Sequence, residues 1–237
     1  AVGKHGIQKI CYLNEDLLTV ELRSKGPENV YEVEIKVGHY CDYHAEPTCG
    51  LATKDSIIGE FDNQRYFADP MRIDAEIIWL TRGFFEYRIP NYLKPNHRLT
   101  ELQFIMELSS EAPCYNNDYP SDIVFHVNQT EVGVWTSPGD FGGEKGANNP
   151  DWWPPHLNQY GLLKLLRINE NGTYIDGCPI SDVKITDIPF DGHSDIKFRI
   201  GVSESGQVGG LTIYGSHFGN YKQDIVARVL YEVVDKG

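Results

Sequence analysis

Residues 123–135 read Ile-Val-Phe-His-Val, Asn-Gln-Thr, Glu-Val-Gly-Val-Trp. Two short runs rich in β-branched and aromatic side chains flank a polar tripeptide, which is the signature of a β-hairpin. The same grammar extends outward in both directions. Val30–Val37 alternates apolar and charged residues at period two, placing valine and isoleucine on one face. Glu76–Ile89 predicts two short strands broken at Arg82-Gly83 and halted by Pro90, and Leu99–Leu108 predicts another. Leu162–Ile168 and Thr173–Ile175 form a second hairpin. Its Asn171-Gly172 turn outweighs the helical character of Leu-Leu-Lys-Leu-Leu. Ile196–Val202, Leu211–Tyr214 and Asp224–Val233 complete the set. About ten short strands punctuated by Gly, Pro and Asn predict an all-β fold, a β-sandwich or jelly roll with long functional loops. The best helical candidate, around Arg65–Ala75, is interrupted by Pro70. Residues 90–97 are either a linker or a crossover between sheets, and the chain is read as one domain over residues 1–237.

A chain of 237 residues can form one large sandwich. Its 34 acidic and 21 basic residues give a net charge of -13, which repels phosphate backbones and anionic lipid. By itself this chain is not expected to bind nucleic acid. No apolar run is long enough to span a membrane, and no membrane partner is expected. The start Ala1-Val-Gly-Lys4, without Met or a signal-like segment, suggests a trimmed chain whose preceding domain is missing. The five cysteines, Cys11, Cys41, Cys49, Cys114 and Cys178, are odd in number and irregularly spaced, which favours free thiols in a reducing cytoplasm. Two glycosylation sequons, at Asn128 and Asn171, sit in predicted turns and carry little weight.

The longest irregular stretch, Val134–Gly161 (VWTSPGDFGGEKGANNPDWWPPHLNQYG), holds three of the four tryptophans. Disordered segments are poor in aromatics, so an ordered functional loop is expected. Rings that cover apolar faces, beside amides and carboxylates that take hydroxyls, suit a sugar-sized ligand. Trp135, Trp152 and Trp153 are the stacking candidates, although the tryptophan pair could equally plug the end of the core. Asp140, Glu46, His156, Asn158 and Asn220 are the hydrogen-bonding candidates. Tyr214 and His217, in the glycine-rich segment 214–221, are expected beside the same loop. The cluster His39, Cys41, His44 and Cys49 contains metal-ligand types, but its spacing matches no zinc pattern and no metal is assigned. Glu111–Asp122 is read as a solvated loop, and Phe61–Pro70 as a lip or interface. No nucleophile elbow, zinc-protease, phosphate-loop or dinucleotide fingerprint occurs, so no enzyme activity and no cofactor are expected.

Several long strings, taken together, resemble a known group. They include Glu46-Pro-Thr-Cys-Gly-Leu-Ala52, Glu86-Tyr-Arg-Ile-Pro-Asn91, Trp135-Thr-Ser-Pro-Gly-Asp-Phe-Gly-Gly143, Asn149-Pro-Asp-Trp-Trp153 and Phe218-Gly-Asn-Tyr-Lys-Gln-Asp224. The chain is similar in them to the C-terminal region of bacterial ArsR-type winged-helix transcriptional regulators. That resemblance implies a carbohydrate-binding-module-like, cytoplasmic effector domain acting as a homodimer. DNA would then be contacted only through a separate N-terminal winged helix. A free-standing carbohydrate-binding module or glycan-active enzyme is the alternative, and a dimerisation module without a ligand is a third.

Overall fold

The computed structural model describes residues 29–234, together with the backbone of a short antiparallel hairpin, β1 (Val2–His5) and β2 (Gln8–Cys11). The Cys11 side chain and the extreme N-terminus lie outside the described residues. Twelve strands form one continuous antiparallel sheet that folds into two facing layers. One takes the order β8 (Thr130–Ser137), β7 (Ser121–Val127), β12 (Ile196–Val202), β5 (Ile77–Ile89), β4 (Asp42–Ala52). The other runs β11 (Cys178–Ser181), β10 (Gly172–Ile175), β9 (Leu162–Asn169), β6 (His97–Ser109), β14 (Ile225–Val233), β3 (Asn29–Ile35). The short strand β13 (Leu211–Tyr214) pairs with both β5 and β6 and joins the layers at one corner. The fold is therefore all-β and sandwich-like, with the sheets nearly closed into a barrel.

Alternation explains the core. Ile123, Phe125 and Val127 point inward from β7, and Phe198 and Ile200 from β12. They meet Leu102, Phe104, Met106 and Leu108 of β6. The layers lock where Phe104 stacks on Phe198, with ring centroids 3.9 Å apart and planes within 8°. Residues 90–96 carry the chain from β5 in one sheet to β6 in the other, so the stretch read as linker or crossover is a crossover. The expected helix at Arg65–Ala75 is two 3-10 turns, Gln64–Ala68 and Pro70–Asp74, divided at Asp69. The Asp69 carboxylate accepts the Met71 N–H and starts the second turn. Among the described residues no helix is long and apolar enough to cross a membrane.

Two features depart from the sequence reading. The metal-like cluster lies mostly on a regular strand, because β4 runs through His44 and Cys49. Strand alternation and burial then separate its members: Cys49 is buried while Cys41 is exposed. Burial pushes the Cys49 thiol up to about 11, away from the thiolate a metal needs. In addition, β5 does not break at Arg82-Gly83. It continues for 13 residues, but the parity of its core-facing side chains changes. Ile78 and Leu80 face the main core at one end, Phe85, Tyr87 and Ile89 at the other. The change coincides with an irregularity in the β4–β5 register: Glu46 pairs with Arg82 and Cys49 with Leu80, so Pro47 and Thr48 together oppose Thr81, and Gly83 on β5 sits at φ 119°. The Thr48 N–H donates to Thr81 Oγ1 at 2.8 Å and closes the irregularity.

Removing the inter-sheet stack should be severe. Phe198→Ala is expected to destabilise the fold by about 3–5 kcal/mol, measured by denaturant unfolding, with a melting midpoint far below that of the native chain.

Candidate functional site

The parity change turns Ile77 and Trp79 to the outer side of the sheet, where an apolar surface needs a cover. Tyr214 of β13 lies on the same outer side, since Leu211 and Ile213 face the main core. The loop after β8 provides the cover. Trp153, Phe218, Trp79, Tyr214, Ile77 and Ala52 form a second apolar cluster outside the sandwich. Trp153 sits at its centre, edge-on to Phe218 at 5.0 Å, to Trp152 at 5.6 Å and to Trp79 at 6.0 Å. Such tilted pairs suit the ring quadrupole. Both indoles are anchored: Trp153 Nε1 donates to the Asn158 carbonyl (2.8 Å) and Trp152 Nε1 to that of Lys54 (2.6 Å).

Buried polar groups hold the loop in this position. Glu107 of β6 accepts backbone N–H bonds from Gly161 (2.8 Å), Asn220 (2.9 Å) and Tyr221 (3.0 Å). One carboxyl thereby ties together the tryptophan loop and the 214–221 loop, which lie side by side as expected. Asn149 reinforces the joint, donating to the Gln159 carbonyl and accepting from Gly219 N–H at 2.7 Å. Asp140 accepts the Ala112 N–H at 3.0 Å, and its backbone pairs reciprocally with Asn116. Burial pushes Glu107 up to about 7 and Asp140 up to about 8, against the lowering effect of the bonds they accept. Glu111 is raised well above the carboxylate range by burial and by its neighbour Asp140. The segment Glu111–Asp122 is therefore no purely solvated loop, because its first residue is buried.

Beside Trp153 opens a cleft of about 430 Å³. Phe61, Trp79 and Trp153 supply its apolar wall, with Phe61 and Trp79 ring centroids 5.8 Å apart. Thr48, Asp62, Glu111 and Asn158 supply its polar edge. These polar groups are linked. Glu111 Oε2 accepts from Asn158 Nδ2 (3.1 Å) and Thr212 Oγ1 (2.9 Å). Asp62 Oδ1 accepts the Cys49 N–H at 2.9 Å. Asp62 and Cys114, both lining the cleft, are held at φ 60° and 70°. Non-glycine residues adopt that region only where their surroundings impose it.

The ten sequence candidates are thus dispersed. Trp153, His156 and Asn158 line the cleft, and Trp152 buttresses it from behind. Asp140 and Tyr214 are expected ligand contacts, but they are buried beneath the loop with exposures of 0% and 1%, so they brace it instead. Asn220 accepts the Ala147 N–H and serves loop geometry. His217 sits on the far side, 3.2 Å from Glu76. Trp135 lies on β8 under the Lys164 ammonium, 4.9 Å from its ring. Glu46 lines a different groove. Sequence reasoning missed Trp79 and left Phe61, Asp62 and Glu111 out of the binding set. The signal for Trp79 was its place in Ile77-Ile78-Trp79-Leu80, where four consecutive buried residues violate one-sided alternation. Among the described residues no group of three His, Cys, Asp or Glu side chains converges as a metal site would require.

No protein-family model and no curated protein matches the chain.

The buried acids make stability depend on pH. In the folded chain they keep protons that the unfolded chain releases near about pH 4. The stabilisation they retain is therefore complete below that range and is lost as pH rises through about 7 for Glu107 and about 8 for Asp140. Asp140→Asn should flatten the fall in melting temperature between those limits. An unchanged pH profile in the variant would place the titration elsewhere.

Proposed function

We propose that the chain binds a sugar-sized, hydroxylated ligand in the cleft between Phe61, Trp79 and Trp153. The observation that carries this reading is the meeting of three rings with the hydrogen-bonded Glu111 and Asn158 at one cleft, a pair held from beneath by buried Thr212. Rings cover the C–H faces of a pyranose, while amide, hydroxyl and carboxyl groups exchange hydrogen bonds with its hydroxyls. Burial raises the Glu111 pKa well above the carboxylate range, favouring the protonated form, which can donate as well as accept. The loop is pinned at both ends, so little order remains to be imposed on binding.

The resemblance to ArsR-type regulators gives such binding an output. The domain would act in the cytoplasm as a homodimer, with DNA contacted by a winged helix outside this chain. A ligand that favours one dimer geometry would shift the population of DNA-competent states. A second reading has an observation in its favour: Glu111, whose pKa burial raises, shares the cleft with Asp62. A pair of carboxyl groups flanking the scissile bond is what glycoside cleavage uses. Turnover of aryl glycosides that Glu111→Gln abolishes would favour that reading over pure sensing.

A thermal-shift screen against mono- and disaccharides tests the proposal. A saturating sugar should raise the melting temperature, since a ligand at a hundredfold excess over Kd stabilises the native state by about 2.7 kcal/mol. Phe61 is 50% exposed, so Phe61→Ala should leave the free protein's melting unchanged. It should weaken binding about tenfold, or about 1.4 kcal/mol, by calorimetry. Silence across the screen with a stable dimer in solution would favour a ligand-free dimerisation module.

A further inference from the structure

Among the described residues, the tryptophan loop covers the outer face of the β8-β7-β12-β5-β4 layer at its β13 end, and a groove of about 730 Å³ lies at the other end. Strand register gives the groove its plan. One row across the strands reads His44, Phe84, Gly201, Val124, Val134. These residues face outward, because Phe85, Ile200 and Phe125, one step along, fill the core. The row runs perpendicular to the strands, with Phe84, Gly201 and Val124 as the floor of the groove and the polar His44 at its β4 end. Gly201 keeps its floor low: a Cβ there would stand 2.5 Å from the Gly83 carbonyl oxygen and 2.8 Å from Phe84 Cβ.

Both banks are polar and carry both signs. On one, Glu46 is paired in register with Arg82, and Ser203, Glu204 and Ser205 follow. On the other, Arg199 donates twice to Glu86 (3.1 and 2.8 Å), and His126 lies 3.9 Å from Glu131. The Arg199 guanidinium also lies over the Phe84 ring at 4.0 Å. His126 Nδ1 is buried without a hydrogen-bond partner, an unmet polar atom in the wall of the groove. Burial lowers its pKa, so the ring is held neutral.

We infer that this groove is a second binding site, for an extended, uncharged, hydroxyl-rich chain: a neutral linear oligosaccharide lying across the strands. Alternating charges on both banks give a charged ligand no net attraction but offer donors and acceptors all along a polyol. Val124 and the part of the Phe84 ring that Arg199 leaves uncovered offer apolar surface to the C–H faces of sugar rings. A peptide is disfavoured. The strands β5, β12 and β7 are already paired on both edges, so its backbone could not extend the sheet and only side chains would meet its polar groups. From β4 to β8 the trough crosses about 19 Å at the usual strand spacing, room for several sugar units. This inference does not rest on the aromatic cleft, which lies at the other end of the β4–β5 pair.

Calorimetry with neutral cello-, xylo- and manno-oligosaccharides of increasing length, on the full chain, tests it. Affinity should rise at least tenfold from the monosaccharide to the longer oligomers in at least one series. Phe84→Ala, Arg82→Ala and His126→Ala should lower it at least tenfold, while Phe61→Ala in the cleft leaves it unchanged. Each variant is read beside its melting curve, and only folded variants count. Arg82 is exposed, so Arg82→Ala keeps the test open if Phe84→Ala fails to fold. Three results would overturn the inference: no length-dependent binding in any series, binding that every folded groove variant retains, or a preference for uronic-acid oligomers or peptides over neutral sugars.

Discussion

Two residues of β4 opposing one residue of β5 set most of what is distinctive in this molecule. Pro47 and Thr48 face Thr81, and on the far side of that mismatch β5 presents its opposite face to the main core. Before it, even-numbered Ile78 and Leu80 face inward; beyond it, odd-numbered Phe85, Tyr87 and Ile89 do. A 13-residue strand can therefore feed the sandwich core along its whole length and still turn Ile77 and Trp79 outward at one end. That outward surface is apolar, and burying it requires a lid. The tryptophan loop is the lid, and the cleft is the space the lid leaves uncovered.

A lid built from an irregular loop brings many backbone polar groups out of water. Buried carboxyls and amides on β6 and in the loop satisfy them. Glu107 receives N–H groups from two separate loops, and Asn149 and Gln159 bridge within and between them. Burial at this depth disfavours the charged form, which is why their pKa values rise although they accept several hydrogen bonds. The same network positions Glu111 through Asn158 and Thr212 at the wall of the cleft. Loop anchoring and site chemistry are thus one network, and a change to either is felt by the other.

The two open surfaces on the outer side of the sandwich differ in physical character. The cleft is aromatic and compact, bounded by side chains from a loop and two strands. The groove is a product of register alone, with Phe84, Gly201 and Val124 between two mixed-charge rows.

Local periodicity determined most of the strands on its own, but not β4 or β11, whose polar, Cys- and Pro-containing sequences carry no clear alternation. β12 and β13 were legible to the residue, and both hairpins with their Asn-containing turns were legible from composition. The tryptophan loop was legible as ordered and central, because aromatic residues among glycines and prolines suit neither a regular strand nor disorder. Its role as cover, and the demotion of Asp140 and Tyr214 from contact to brace, were decided by tertiary structure. Burial of a polar residue depends on what folds over it, and sequence spacing carries no record of that. The continuity of β5 was likewise hidden, since a bulge is a property of two paired strands and only one was being read at a time. Trp79, Phe61 and Glu111 lie far apart in the chain, and only the register between strands brings them to one wall. The sequence by itself therefore determined most of the strands and which loop matters, while β4 and the meeting of side chains were decided by strand pairing, which no single segment records.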